Sequence, residues 1–152
     1  MRRALIAMVV AAVAITMFAP GASAGDNFSA SLSGDEENPP VETQGTGAAK
    51  FKLRDGGLVF KVNVANLEDI FAAHIHCGAV GVNGPVGVTL FAGGPVSDSG
   101  TLAEGTITAP DPGNVCGWET LADVIAAIES GDTYVNVHTD ENPGGEIRGQ
   151  LK

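Results

Sequence analysis

The 152-residue chain contains three histidines. Their types and spacing make them the strongest candidates for a functional site in this sequence. His74 and His76 form a His-x-His pair within residues 71–77. Residues two apart on a β-strand point to the same face, so both imidazoles would lie on one side, roughly 6–7 Å apart at the backbone. Neutral imidazole is a common ligand of zinc and copper. The pair is therefore part of a candidate metal site.

The third histidine ends another alternating segment, residues 133–138. Val135 and Val137 would take the core face of a strand, which places Asn136 and His138 on the polar, solvent-side face. If this strand neighbours the His-x-His strand, all three imidazoles would share one patch on the outside of the sheet. The pattern therefore predicts one site built from two strands.

Together His74, His76 and His138 would hold copper or zinc and leave a fourth position for water, substrate or a carboxylate such as Asp140 or Glu146. A simpler, structural role is also compatible with the sequence. Exposed histidines are common on strands, and an imidazole can hydrogen-bond a nearby carboxylate or a loop carbonyl. A metal site and a structural role both stay open at this point.

Other chemistry has little support in the residues. The sequence has no His-Glu-x-x-His metalloprotease signature and no phosphate-cradling Gly-x-x-x-x-Gly-Lys. Glu36 and Glu37 are adjacent carboxylates, but they lie in a polar loop and are expected to be solvated. We therefore predict no catalytic residue and no cofactor other than copper or zinc.

The first 24 residues have the three parts of a secretory signal peptide: a basic start at Arg2 and Arg3, apolar residues 4–19, and an Ala-x-Ala end at residues 22–24. Cleavage after Ala24 would leave one domain, residues 25–152, in a secreted or periplasmic protein. The apolar run falls short of the roughly 20 residues that span a bilayer. No membrane span is expected after cleavage.

The charge of the mature chain limits its partners. Without Arg2 and Arg3, the chain has six basic and eighteen acidic side chains, which gives a formal charge of −12. Such a surface repels nucleic acid and anionic lipid. The expected partner is a metal ion or an unidentified extracellular protein, and nucleic acid is not expected.

Cys77 and Cys116 are the only cysteines, and pairing is the default in an oxidising compartment. A disulfide between positions 39 apart would stabilise the fold by about 4 kcal/mol in the chain-entropy model. Two buried free thiols, or two thiolate metal ligands, are the alternatives.

The elements that must position these residues are mostly strands. Short alternating runs separated by Gly, Pro, Asn and Asp predict an all-β fold, an antiparallel Greek-key sandwich or barrel. Asp55-Gly56 between two such runs is a hairpin signal. The predicted strands are residues 28–32, 48–53, 58–64, 72–77, 86–91, 100–108, 133–138 and 146–151.

One segment has the periodicity of a helix instead. Leu121, Val124, Ile125 and Ile128 fall at the i, i+3, i+4 and i+7 spacing of an apolar helical stripe. With Thr120 as an N-cap and Gly131 as a terminator, we predict one short amphipathic helix at about residues 120–130.

The last strand should contribute polar side chains beside the histidines. Its alternation points Ile147 and Leu151 inward and Glu146 and Arg148 outward. With Asn136 on the preceding strand, Glu146 and Arg148 are predicted to form a structural polar network.

Two stretches of the chain resemble the CHRD (chordin-type) domain. The first joins AHIHCG at residues 73–78 to NGPV at residues 83–86, and the second joins YVNVHT at residues 134–139 to NPGGEIRGQL at residues 142–151. FSASLSG at residues 28–34 and ENPPV at residues 37–41 are similar to the start of that domain. The resemblance covers nearly the whole mature chain. It implies a binding or structural module without established catalytic activity.

A looser similarity concerns the histidines alone. His-x-His in one strand, and Val-His before an acidic loop, are similar to copper/zinc superoxide dismutases, which are Greek-key β-sandwiches with the metal outside the barrel. His74, His76 and His138 would match three copper ligands of that family. A fourth histidine is missing, so no bridging imidazole is expected. The alternative function is thus a single-site copper or zinc protein for storage or weak redox activity.

Overall fold

The computed structural model describes residues 27–152, which form a closed antiparallel barrel with an additional strand and one helix. The signal peptide predicted for residues 1–24 lies outside the described residues. The elements are β1 (Asn27–Ser33), a 3₁₀ turn (Gly34–Glu36), β2 (Thr46–Arg54), β3 (Gly57–Cys77), β4 (Val86–Ile107), α1 (Leu121–Glu129), β5 (Thr133–Thr139) and β6 (Ile147–Gln150). The predicted all-β architecture is confirmed.

The strands form one sheet in the order β2-β1-β6-β5-β3-β4, and a further pairing of β2 with β3 closes the ring. β1 shows how the alternation works, because Phe28, Ala30 and Leu32 are buried while the residues between them are exposed. Phe28 lies opposite Phe51 of β2, and Phe51 lies opposite Phe60 of β3. These inward side chains and their counterparts on β5 and β6 fill the barrel core.

β3 and β4 are single strands of 21 and 22 residues, so the prediction of two short strands in each was wrong. The alternation fails in the middle of β3, where Asn66 and Asp69 adopt positive φ angles of 57° and 50°. Serine hydroxyls of β4 replace regular ladder bonds there: Ser99 accepts from the Asn66 N–H at 3.2 Å and Ser97 from the Asp69 N–H at 3.3 Å. The bent β3 pairs with β2 through its first half and with β5 through its second.

The predicted helix is confirmed as α1, and its local signals explain its limits. Thr120 accepts from the Asp123 N–H at 3.3 Å, while the Asp123 carboxylate accepts from the Thr120 N–H at 2.8 Å, which makes a reciprocal N-terminal cap. Val124 and Ile128 pack into the core, and Gly131 follows the helix at a φ of 77°. Within residues 27–152, no helix has the length and apolar character to cross a bilayer.

Cys77 and Cys116 form a disulfide with a Cα–Cα distance of 5.8 Å, as predicted. The bond excludes the alternatives of free thiols and thiolate metal ligands. It joins the end of β3, one residue after His76, to the segment that leads into α1. The histidine strand is thereby tied to the helical side of the molecule.

Candidate metal centre

The three histidines meet on the outer face of the sheet, where β3 and β5 are antiparallel neighbours. Register places His74 opposite Asn136, and His76 opposite Tyr134. His138 lies two residues beyond Asn136 on the same face. One ring nitrogen from each histidine lies within 4.8 Å of the others. The pairing of β3 with β5 therefore brings the three side chains together.

Two of the rings are oriented by loop carbonyls. His76 Nδ1 lies 2.9 Å from the Gly84 carbonyl oxygen, and His138 Nδ1 lies 3.1 Å from that of Pro143. A carbonyl oxygen only accepts, so each Nδ1 carries the hydrogen and each Nε2 keeps its lone pair. This arrangement, in which one ring nitrogen donates to a carbonyl, is usual for histidine metal ligands.

The distances fit a metal ion. The two Nε2 atoms of His76 and His138 are 3.4 Å apart, with lone pairs that repel each other when nothing lies between them. Two nitrogens bound tetrahedrally to zinc at 2.0–2.1 Å would be separated by about 3.4 Å. The Nδ1 of His74 is buried without a hydrogen-bond partner, which is uncommon for a buried polar atom. An ion between the rings would remove the repulsion between the two Nε2 lone pairs, and one ring nitrogen of His74 lies close enough to join them as a ligand.

The electrostatics keep the rings neutral. Burial, reinforced by the neighbouring His138 and His76, lowers the pKa of His74 to about 4. Burial is also the main cause that lowers the pKa of His76 to about 4, and it lowers the pKa of His138. Metal binding requires neutral imidazole. At neutral pH the three side chains are therefore already in the ligand form.

The histidines lie on the predicted outer face of the sheet, but two of them are shielded from solvent there. His76 and His138 are each only 7% exposed, while His74 is half-buried. Residues 78–85 and 140–146 fold back over the part of the outer face that carries His76 and His138 and cover it. A Cβ on Gly84 would lie 1.6 Å from the Cys77 carbonyl oxygen, so only glycine lets the first loop reach His76.

A stack of planar groups supports His76 from beside the site. The Tyr134 ring is stacked on the His76 ring, with centroids 4.9 Å apart and planes inclined by 10°. The Arg148 guanidinium lies 3.7 Å from the Tyr134 centroid and donates to the Asn83 side chain at 2.9 Å and the Val82 carbonyl at 3.2 Å. Tyr134 was not among the predicted site residues, although its even spacing from His138 placed it on the same face.

The carboxylates considered as a fourth ligand are not part of the histidine group. Glu146 accepts from the Thr43 hydroxyl at 2.5 Å and from the Thr139 hydroxyl at 2.6 Å, so both of its carboxylate oxygens are engaged. Asp140 is exposed in the following loop. The ligand group found in residues 27–152 consists of histidines alone.

The three residues predicted to form a polar network are buried rather than exposed. Arg148 bonds to the loop at Asn83, Glu146 to two threonines, and Asn136 donates to the Gly144 carbonyl at 3.4 Å. No hydrogen bond in the described part of the chain joins these three side chains to one another. Each instead holds a different segment against the sheet.

Glu37 was expected to be solvated, but its side chain is buried. The segment following the 3₁₀ turn lies against the loop at Gly81, because the Asn38 side chain donates to the Gly81 carbonyl at 2.7 Å. Glu37 is 7% exposed, and its Oε1 has no hydrogen-bond partner, nor has Oδ1 of Asn136. Burial raises the pKa of Glu37 to about 7, against an opposing effect of the Arg148 charge. No local signal distinguishes Glu37 from its solvated neighbour Glu36.

This buried acid predicts a pH dependence of stability. Folded Glu37 keeps its proton up to about pH 7, whereas the unfolded side chain loses it near 4.5, so its contribution to stability falls as pH rises through that window. Replacing Glu37 with glutamine removes the titration and offers an amide donor to Asn136. We expect the melting temperature of Glu37→Gln to exceed that of wild type at pH 8, and the difference to shrink towards pH 5. Circular dichroism melts with Glu36→Gln as the exposed control test this, and parallel pH profiles would contradict it.

Comparison with known proteins adds one finding. A family model for the CHRD domain matches residues 28–151. That range contains the whole barrel after its first residue, the disulfide and all three histidines. Neither the curated proteins nor the solved structures compared with the chain give a match.

Proposed function

The chain belongs to the CHRD-domain family, and on that premise we propose that it is an exported binding module holding one copper or zinc ion through His74, His76 and His138. Family membership supports a structural or binding module. The metal proposal depends on one observation above all: the Nε2 atoms of His76 and His138 face each other at 3.4 Å while both Nδ1 atoms are committed to loop carbonyls.

The donor set selects the class of ion. Three neutral imidazoles suit copper and zinc, whereas calcium and magnesium take oxygen ligands. Three protein ligands leave one coordination position open, in contrast to the four protein ligands of a closed structural zinc site. His74 is the half-buried member of the group and gives an ion a route from solvent. These features favour storage or transfer of a metal ion and, where the ion is copper, weak redox activity.

Export is proposed from independent features. The leader pattern of residues 1–24 directs secretion, and the Cys77–Cys116 disulfide is compatible with an oxidising compartment. The net charge of −12 after removal of the leader favours solubility there.

A second candidate function needs no metal. The same Nδ1 hydrogen bonds that orient His76 and His138 also fasten residues 78–85 and 140–146 to the sheet. In this case the histidines would be structural, and the domain would bind an extracellular partner through another surface. The two candidates differ in what the histidines do, so one titration separates them.

The test is calorimetric titration of the mature chain with Cu(II) and with Zn(II). We expect submicromolar binding of one ion per chain, weakened at least about a hundredfold in the variant His74→Ala/His76→Ala. A matched control is Glu68→Gln/Glu141→Gln, which removes two carboxylates that line a surface cleft and are not members of the histidine group. This control should bind as wild type.

Two results would refute the metal function. One is an absence of submicromolar binding by the wild-type chain. The other is equal binding by the histidine variant, provided that its circular dichroism spectrum shows the barrel intact. Either result leaves the structural role of the histidines as the function of this patch.

A further inference from the structure

The exposed cations of this acidic protein are concentrated on one side. Among residues 27–152, five of the six basic side chains are exposed or half-buried, and they lie on or beside the outer faces of β1, β2 and β3. The sixth, Arg148, is buried under loops. The exposed members are Lys50, Lys52, Arg54, Lys61 and Lys152.

Two of these lysines are direct cross-strand partners. Lys50 of β2 lies opposite Lys61 of β3, and on its other side it lies opposite Ser29 of β1. Like charges placed directly opposite each other destabilise a sheet. Glu104 reaches only Lys61, at 3.4 Å, and an exposed ion pair of this kind contributes at most about 1 kcal/mol. An anion bound from solvent would offset the repulsion between Lys50 and Lys61, so this pairing is consistent with an anion-binding surface.

The lysines line a shallow groove of about 390 Å³. One wall is the cross-strand row Ser29, Lys50 and Lys61, and the other is the row Asn27, Lys52 and Val59. Between the two rows lie Phe28, Phe51 and Phe60. Their side chains point into the core, so their backbone forms the floor of the groove. The backbones of rows two residues apart on a strand are separated by roughly 7 Å, so an extended chain lying across the strands would contact side chains of both rows.

We infer that this groove binds a linear anionic polysaccharide. Lys50 and Lys61 on one wall and Lys52 on the other would contact carboxylate or sulfate groups. The Ser29 hydroxyl and the Asn27 amide offer hydrogen bonds to sugar hydroxyls. The floor has no unpaired strand edge, so recognition depends on the side chains of the two walls. The inference uses no residue of the histidine site and is independent of the proposed metal function.

Two other polyanions fit this surface less well. Duplex nucleic acid carries one charge per about 1.7 Å of its axis and would be repelled by the remaining acidic surface of the protein. A planar anionic membrane would meet the rims of the groove and leave its floor empty. A single polysaccharide chain can lie along the groove with its charges next to Lys50, Lys52 and Lys61, and among the described residues Glu104, beyond Lys61, is the one carboxylate paired with these lysines.

The experiment measures binding of the mature chain to immobilised dextran sulfate, with uncharged dextran as the matched polymer. At about 50 mM salt we expect binding to dextran sulfate only, weakening steeply towards 500 mM as counterions compete. Lys50→Gln should weaken binding about tenfold, since it removes a charge-assisted contact. Arg54→Gln removes the same charge outside the groove lining and should change affinity less than about twofold.

Several outcomes would overturn the inference. Equal losses for Lys50→Gln and Arg54→Gln would mean that overall charge is sensed rather than the groove. Equal binding to dextran would exclude recognition of anionic groups. Tighter binding to an oligonucleotide or to vesicles of anionic lipid would assign the surface to another partner. Because His74→Ala/His76→Ala should bind dextran sulfate as wild type, failure of the metal proposal would not affect this test.

Discussion

An excess of Zn(II) is expected to raise the midpoint of thermal unfolding of the mature chain by roughly 10 °C. A ligand that binds only the folded state at a free concentration one hundred times its Kd stabilises that state by about 2.7 kcal/mol. For a domain of this size each kcal/mol shifts the midpoint by about 4 °C. The site is suited to such an effect, because an ion replaces the repulsion between two lone pairs 3.4 Å apart and is within reach of a ring nitrogen of His74. Differential scanning calorimetry with and without Zn(II) measures the shift.

The control is the variant His74→Ala/His76→Ala, whose midpoint should not respond to Zn(II). A chelator should return the wild-type midpoint to its starting value. If both proteins shift equally, the ion is acting at surface carboxylates, and the histidine site is not the source of stabilisation.

Replacing Arg148 with alanine is expected to lower the free energy of unfolding by about 3–5 kcal/mol, because each buried hydrogen bond from a charged group contributes about 1.5–3 kcal/mol and Arg148 makes two. Arg148 is 2% exposed, stacks on Tyr134 at 3.7 Å, and donates to Asn83 and to the Val82 carbonyl. Its loss leaves those acceptors unpaired and removes the positive charge that opposes the rise in the pKa of Glu37. Urea unfolding followed by circular dichroism measures the change.

Two further variants make this prediction specific. Arg148→Lys keeps the charge but loses the planar stacking and the forked donors, so its stability should lie between wild type and the alanine variant. Arg54→Ala removes an exposed arginine and should change stability by less than about 0.5 kcal/mol. A loss for Arg148→Ala no larger than for Arg54→Ala would contradict the structural role of the buried stack.

The parts of the fold with local signals were predictable from sequence. α1 has its apolar stripe, its N-cap at Thr120 and its glycine terminator within a dozen residues, so no distant contact was needed to locate it. The strands were located by alternation in the same way. The fusion of four short predicted strands into β3 and β4 was missed, because Asn66 and Asp69 interrupt the alternation while serines from β4 maintain the pairing. That compensation is a long-range contact.

The candidate site was predictable in its membership but not in its surroundings. Alternation within single strands assigned His74, His76 and His138 to polar faces, and the pairing of β3 with β5 then brought them together. Burial of His76, His138, Arg148 and Glu37 came from loops that fold over the outer face.

The sequence alone thus determined which side chains leave the core and where the helix lies, because periodicity and caps are encoded locally. Only the tertiary structure decided that the polar face is covered, that two imidazoles face each other with free Nε2 atoms, and that lysines from two strands line one groove. The physical reason is that alternation specifies the direction of a side chain relative to its own strand. Strand order and loop packing, which arise from contacts far apart in the chain, specify what that side chain meets.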